Sequence, residues 1–190
     1  MVNTKSPLKT LTALGHDAPK TITIGNMAII ERFDVALASI AVRRGRDKDL
    51  AKAAKSAGVP LPQVAKAEVG QAYSAFWMTP EMWMVEAAFA THEDIAAILK
   101  MALGDAASVT EQTDAWVRFD IAAPNLVPLM ERLSNIDLAT RPIGFASRAV
   151  IEHLGVYVIK RSETEIALYG PRASAQSLLH ALEVTAKSVM

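Results

Sequence analysis

Hydrophobic and polar positions alternate along this chain with two different periods, and the order in which the periods change predicts its architecture. Val35–Val42 is a short, largely apolar run closed by Arg43, Arg44 and Gly45, and it predicts a strand. Asp47–Ala57 places Ala and Lys at helical spacing behind an Asp N-cap, and Gly58 followed by Pro60 stops it. Prolines 60 and 62 leave residues 61–70 as a loop. Residues 72–78 and 82–87 predict a hairpin around Pro80, whose ring presets a turn dihedral. Residues 91–94 open a helix whose stripe is Ile95, Ile98, Leu99 and Ala102 and whose end is Gly104.

Residues 109–112 and 116–121 predict the next strands. In the second, Val117, Phe119 and Ile121 alternate with Trp116, Arg118 and Asp120, the pattern of a half-buried strand. Residues 125–133 predict a short helix with Pro128 in its first turn, where a missing N–H is tolerated. Residues 148–154, 156–161 and 165–169 predict a three-strand meander, and a last helix begins near Ala173 with Leu178, Leu179, Leu182 and Ala186 inward. The order is β-α-β-β-α-β, then β-α-β-β-β-α. Two split βαβ (ferredoxin-like) units in tandem, in an α+β architecture, account for it. Residues 1–20, with Lys5, Lys9, His16 and Asp17, are expected to form a flexible arm, and residues 21–190 a single module of two lobes, 21–112 and 113–190.

Composition narrows the function. The 190 residues carry 20 Lys+Arg against 20 Asp+Glu, so no net charge drives the chain onto a phosphate backbone, and nucleic acid is not an expected partner. No apolar run approaches the 18 or so residues of a membrane span, and no secretory h-region appears, so a cytoplasmic protein without a membrane partner is expected. The absence of cysteine removes disulfides, thiolate metal sites and cysteine nucleophiles together.

Motifs for chemistry are sparse. His16, His92, His153 and His180 include no pair at i, i+4 and no HxH or HExxH, so no single helix or strand presents two imidazoles to a metal. The nine glycines fall singly, without the spacing that brings backbone amides to a dinucleotide or triphosphate. Arg43, Arg44, Arg46 and Lys48 are interrupted by Asp47 and accompanied by no aromatic residue, which suits a solvated surface better than an anion or RNA site. No catalytic, cofactor-binding or metal-binding residue is expected in this chain.

The segment from Phe76 to Val85 stands apart. If Thr79 lies opposite Met82, an unbroken hairpin puts Phe76, Met78, Trp83 and Val85 on one face and Trp77, Met82 and Met84 on the other. Both faces are apolar. Such a hairpin is either a central part of a sheet covered on both sides or an edge covered by another chain. Trp77, Met82, Trp83 and Met84 are therefore candidates for a subunit interface.

This hairpin also resembles the gamma subunit of heterotetrameric sarcosine oxidase. A W-x-G-P-D-E-W-like segment of that family is similar to the stretch here that keeps Trp77, Pro80, Glu81 and Trp83, while Thr79 and Met82 depart from it. Leu50 to Gly58 followed by Leu61-Pro62, then Ile136-Asp137-Leu138 and Arg141-Pro142-Ile143-Gly144, follow the family's order. The resemblance implies a fold like the folate-binding domain of the glycine cleavage aminomethyltransferase. It implies a non-catalytic subunit in the oxidative demethylation of sarcosine to glycine, with tetrahydrofolate accepting the one-carbon unit and hydrogen peroxide released. It also implies alpha and beta subunits as partners, with a delta subunit as an optional fourth. FAD, FMN, NAD and tetrahydrofolate are then expected in those partners and no cofactor in this chain. A stand-alone folate-binding or aminomethyltransferase-like protein is the alternative, although such enzymes need further domains. An RNA-interacting module using Arg43 to Lys48 is a third, weakened by the neutral charge.

Overall fold

The computed structural model describes residues 11–190. Its first element is a hairpin of β1 (Thr21–Ile24) and β2 (Met27–Arg32), turned at Gly25, whose φ of +56° suits glycine. The first lobe follows: β3 (Val35–Val42), α1 (Asp47–Ala57), β4 (Ala67–Val69), β5 (Ser74–Thr79), β6 (Met82–Ala88), the one-turn α2 (Phe89–His92), α3 (Ile95–Leu103) and β7 (Ala107–Glu111). Its sheet has the order β4-β5-β6-β3-β7, with every neighbour antiparallel. Strands β3 and β5 thus run the same way with β6 between them, which is the expected split βαβ unit.

The second lobe contains β8 (Trp116–Ala122), α4 (Val127–Leu133), β9 (Ala146–Ile151), β10 (Leu154–Lys160), β11 (Glu165–Pro171) and α5 (Ala175–Val189). Its sheet order is β1-β2-β8-β11-β10-β9, so β8 and β10 form a second split unit around β11. Here the lobe boundary drawn at residues 112 and 113 needs correction. The position beside β8 that a strand following α5 would fill is taken by β2, from the other end of the chain. Residues 21–32 therefore belong with the C-terminal lobe, and the two units interlock.

Burial alternates along the strands in a way that defines the layers. On β10, Val156 and Val158 point into a core with Leu129, Met130, Leu178 and Leu182 of α4 and α5, whereas Tyr157 and Ile159 point the other way. On the first sheet, Ala36, Ala38 and Ile40 face Leu50, Leu99 and Leu103 of α1 and α3, whereas Leu37, Phe76 and Met84 face Tyr157, Ile159, Ala167 and Tyr169 of the other sheet. The sheets pack face to face with helices outside, and both faces of each are covered. This arrangement absorbs an apolar content of 51%. Strands β4 and β9 also stitch the sheets at their edges: Ala67 N–H donates to the Gly144 carbonyl at 2.6 Å and Ala146 N–H to that of Ala65 at 3.0 Å.

Two further expectations change. Within the expected arm, residues 11–20 are fixed: the buried Glu31 carboxylate accepts the N–H groups of Leu14 and Lys20, both at 3.0 Å, and Arg172 donates to the Leu11 carbonyl at 2.9 Å. The remainder of the expected arm, residues 1–10, lies outside the described residues. In the β5–β6 hairpin Thr79 does lie opposite Met82, but an irregularity between Trp77 and Thr79 shifts the register, so that Trp77 meets Trp83 and Phe76 meets Met84. One extra residue reverses which side chains share a face.

Candidate functional site: an ionic chain between the sheets and the cleft beside it

Register places an unusual row of side chains on the inner face of the second sheet. Arg32, Arg118, Tyr169 and Tyr157 are successive lateral neighbours on β2, β8, β11 and β10. Asp120 lies two residues along β8 from Arg118 and therefore on the same face. In the sequence these positions read as the wet side of a half-buried strand. The other sheet covers them instead, and Asp120 is only 4% exposed.

The first sheet contributes Glu86 of β6, at 5% exposure, directly above this row. Its Oε2 accepts hydrogen bonds from Tyr169 Oη at 2.7 Å and Arg118 Nη1 at 3.0 Å, and its Oε1 accepts one from Arg161 Nη2 at 2.6 Å. Arg118 turns its other edge to Asp120 in a two-pronged contact, Nε to Oδ1 at 2.7 Å and Nη2 to Oδ2 at 3.0 Å. Arg32 Nη1 then donates to Asp120 Oδ2 at 3.0 Å, and Arg32 grips Asp34 in a second two-pronged pair. Three arginines and three carboxylates thus form a continuous, neutral chain from the interior to the surface.

The electrostatics follow from burial and pairing together. Burial pushes the Glu86 carboxyl up, but the Arg161 and Arg118 charges and the bonds from Tyr169 and Arg161 outweigh it and hold the group below its ordinary value. Burial likewise opposes the charges of Arg118 and Arg161, and the facing Glu86 and Tyr169 oxygens keep both above their ordinary range. Burial, reinforced by Glu86, pushes the Tyr169 phenol well above its usual value. At the surface end, the hydrogen bond between Arg32 and Asp34 lowers the carboxyl and raises the guanidinium. Glu86, Tyr169 and the arginines are therefore each locked in one protonation state near neutral pH, which suits a latch between sheets and not general acid–base work.

A cleft of about 540 Å³ opens beside this chain. Its lining includes Arg118 and Trp116, the apolar Phe33, Val35, Leu37 and Phe89, and the acidic Glu93, Asp94, Glu111 and Asp114. The Trp116 indole N–H is held by Gln112 Oε1 at 3.1 Å, which fixes the ring.

The residues singled out in the sequence lie elsewhere. Met84 is fully buried between the sheets, which removes it from any interface of the folded chain. Trp83 is partly buried against the helix-side core, with its indole N–H donating to the Pro62 carbonyl at 2.8 Å. Trp77 and Met82 are partly exposed. Of the histidines, His153 and His180 line one outer groove, while His92 packs edge-on to Tyr73 at 5.0 Å between ring centroids. Among the described residues no three His, Cys, Asp or Glu side chains are grouped to hold a metal ion. Arg43 pairs with Asp105 at 3.0 Å and Arg46 with Asp49 at 2.6 Å, so two of the four basic side chains of the cluster are neutralised by the chain itself.

The ionic chain escaped sequence reasoning. Its one local signal was Glu86, a lone carboxylate between Val85 and Ala87 in an otherwise apolar strand.

No family model matches the chain, and no curated protein matches it in sequence. Solved structures do. A chain of heterotetrameric sarcosine oxidase from Corynebacterium sp. U-96 is 15% identical and superposes with a TM-score of 0.75, over 89% of this chain and 88% of that one. The aminomethyltransferase T of the glycine cleavage system from Bartonella henselae is 11% identical with a TM-score of 0.62, over 80% of this chain and 44% of that one. The α+β fold of this chain is thus the one found in a sarcosine oxidase chain and in part of an aminomethyltransferase.

Proposed function

We propose that this chain is the gamma-type, non-catalytic subunit of a heterotetrameric sarcosine oxidase. The observation that carries the proposal is the match in extent: 89% of this chain covers 88% of a chain of that assembly, so the two are of nearly equal length and superpose almost end to end. The aminomethyltransferase is matched over less than half its length, which favours a subunit over a complete enzyme of that type. In this reading the partners are the alpha and beta chains, with delta as a fourth, and they hold FAD, FMN, NAD and tetrahydrofolate. The assembly converts sarcosine, oxygen and tetrahydrofolate to glycine, hydrogen peroxide and methylene-tetrahydrofolate. No helix among the described residues is long and apolar enough to cross a membrane, in keeping with a cytoplasmic complex. Trp77 and Met82, which with Trp83 are the partly exposed interface candidates and which unlike Trp83 are not packed on the helix-side core, are the side chains of the hairpin that would meet a partner.

Coexpression with the alpha and beta sarcosine oxidase chains encoded in the same genome tests this. The expected result is a stoichiometric complex, weakened by Met82→Glu without loss of the isolated chain's melting temperature. Failure to copurify would sink the subunit assignment. The similarity to the aminomethyltransferase supports a second reading, a stand-alone folate-binding protein. Saturable micromolar binding of tetrahydrofolate by the isolated chain would favour it.

A further inference from the structure

The cleft between the lobes has no place in the subunit proposal, yet it is built like a ligand site. Five separated segments converge on it, contributing Leu11, Arg32 to Leu37, Phe89 to Asp94, Glu111 to Arg118, and Arg172. Its volume of about 540 Å³ falls within the range of small-molecule pockets. Its aromatic lining includes Trp116, whose indole N–H is held by Gln112, and Phe33, which is 54% exposed.

Charge decides what the cleft would take. Arg32 and Arg118 line it, but three N–H groups of each are already engaged by Asp34, Asp120 and Glu86. They are not open to recruit an anion with full strength. Arg172 is held by the Leu11 carbonyl and sits 3.9 Å from Asp114. The carboxylates of the lining are in the opposite situation. Among the described residues neither Glu93 nor Asp94 has a hydrogen-bond or ion-pair partner for its side chain. The positive charges of the lining are thus neutralised from within, and the unmatched charge is negative. Carboxylates beside aromatic faces suit an organic cation, whose head group pairs with the former and whose body packs on the latter.

We infer that the cleft binds a small amphipathic cation, its ammonium group at Glu93 and Asp94 and its apolar or aromatic body against Phe33, Phe89 and Trp116. The site is independent of the subunit proposal, and its failure leaves that proposal untouched. Benzyltrimethylammonium is the probe, titrated into the full chain by calorimetry and by tryptophan fluorescence. The expected result is saturable binding with a Kd of about 1 mM or tighter. Binding should quench a fluorescence component that Trp116→Phe removes. The double variant Glu93→Gln/Asp94→Asn should weaken binding about tenfold. Both carboxylates are exposed but lie at the N-terminus of α3, with Asp94 its N-cap, so the variant's melting temperature is measured alongside, and loss of binding in a variant still folded at the titration temperature reads on the site. Three outcomes would overturn the inference: no saturable binding of the probe, equal affinity for the anion phenylacetate, or unchanged affinity in the double variant.

Discussion

Replacing Glu86 by alanine is expected to destabilise the fold by about 3–5 kcal/mol, the range for removing one partner from a buried ion pair. The truncation leaves two mostly buried guanidiniums facing each other without the carboxylate that separates them, and Arg118 and Arg161 are only 14% and 15% exposed. It also strips the phenol of Tyr169 of its acceptor, while Arg161 Nε is already buried without a partner. Most of the loss is the desolvation penalty of orphaned charge, not the net worth of the pair. The double variant Glu86→Ala/Arg161→Ala should therefore lose less than the sum of the two single variants, because the second change removes one of the orphans. Urea denaturation at neutral pH measures all three. A loss below about 1 kcal/mol for Glu86→Ala, the size of one ordinary hydrogen bond, would refute the latch.

The same site sets the acid limit of stability. Glu86 has a lowered folded pKa, so its contribution is fully present above the unfolded carboxylate's pKa of about 4.3 and is lost as pH falls through the folded value. Asp34 acts in the same sense, though half exposed and screened. Tyr169 has a raised folded pKa, so its contribution is present below about pH 10 and is lost as pH rises through the folded value. Melting temperature should therefore fall on both sides of a neutral plateau. Glu86→Gln should lose stability on the plateau and show a shallower acid limb, since its amide does not titrate.

Much of the architecture was legible because its determinants are local. Gly58 closes α1 in the left-handed region at φ +69°, as expected, whereas the N-cap is Arg46 and Asp47, expected there, is the first helical residue, where its charge still complements the helix dipole. The alternation of Val117, Phe119 and Ile121 identified β8, and the order of helices and strands identified both split units. The interlocking of the lobes was not legible. The hairpin of β1 and β2 was not predicted at all, and its destination beside β8 is set by a pairing about a hundred residues away, for which no local pattern exists. The two apolar faces of the hairpin were recognisable, and the single-residue shift that sets Trp77 opposite Trp83 and Met84 opposite Phe76 was not. Arg118 and Asp120 read as solvated because alternation reports only that two faces differ, not that a second sheet covers the polar one.

Phe76→Ala should have a cost comparable to that of Glu86→Ala, for the opposite reason. Phe76 is fully buried at the centre of the contact between the sheets, with ring centroids 5.1 Å from Tyr169 and 5.4 Å from Tyr157. Truncating a buried Phe to Ala costs about 3–5 kcal/mol through lost transfer energy and the cavity left behind. The tilted contacts to two tyrosines add about 0.5–1.5 kcal/mol each at most. Little can collapse into the gap, because the neighbours are strands of two hydrogen-bonded sheets stitched to each other at Ala67 and Ala146. Phe76→Leu, which keeps most of the volume, should cost clearly less. A loss within about 1 kcal/mol of wild type for Phe76→Ala would mean that the sheets do not rely on this contact. The unfolding curve carries a second test. The contact couples a strand of one lobe to strands of the other, and β1 and β2 complete the sheet opposite their sequence neighbour β3, so the second lobe cannot form its sheet without a segment from before the first. Denaturation followed by tryptophan fluorescence and by far-UV circular dichroism should coincide in one transition for the wild type. Separation of the two curves in Phe76→Ala would locate the coupling between lobes at this ring.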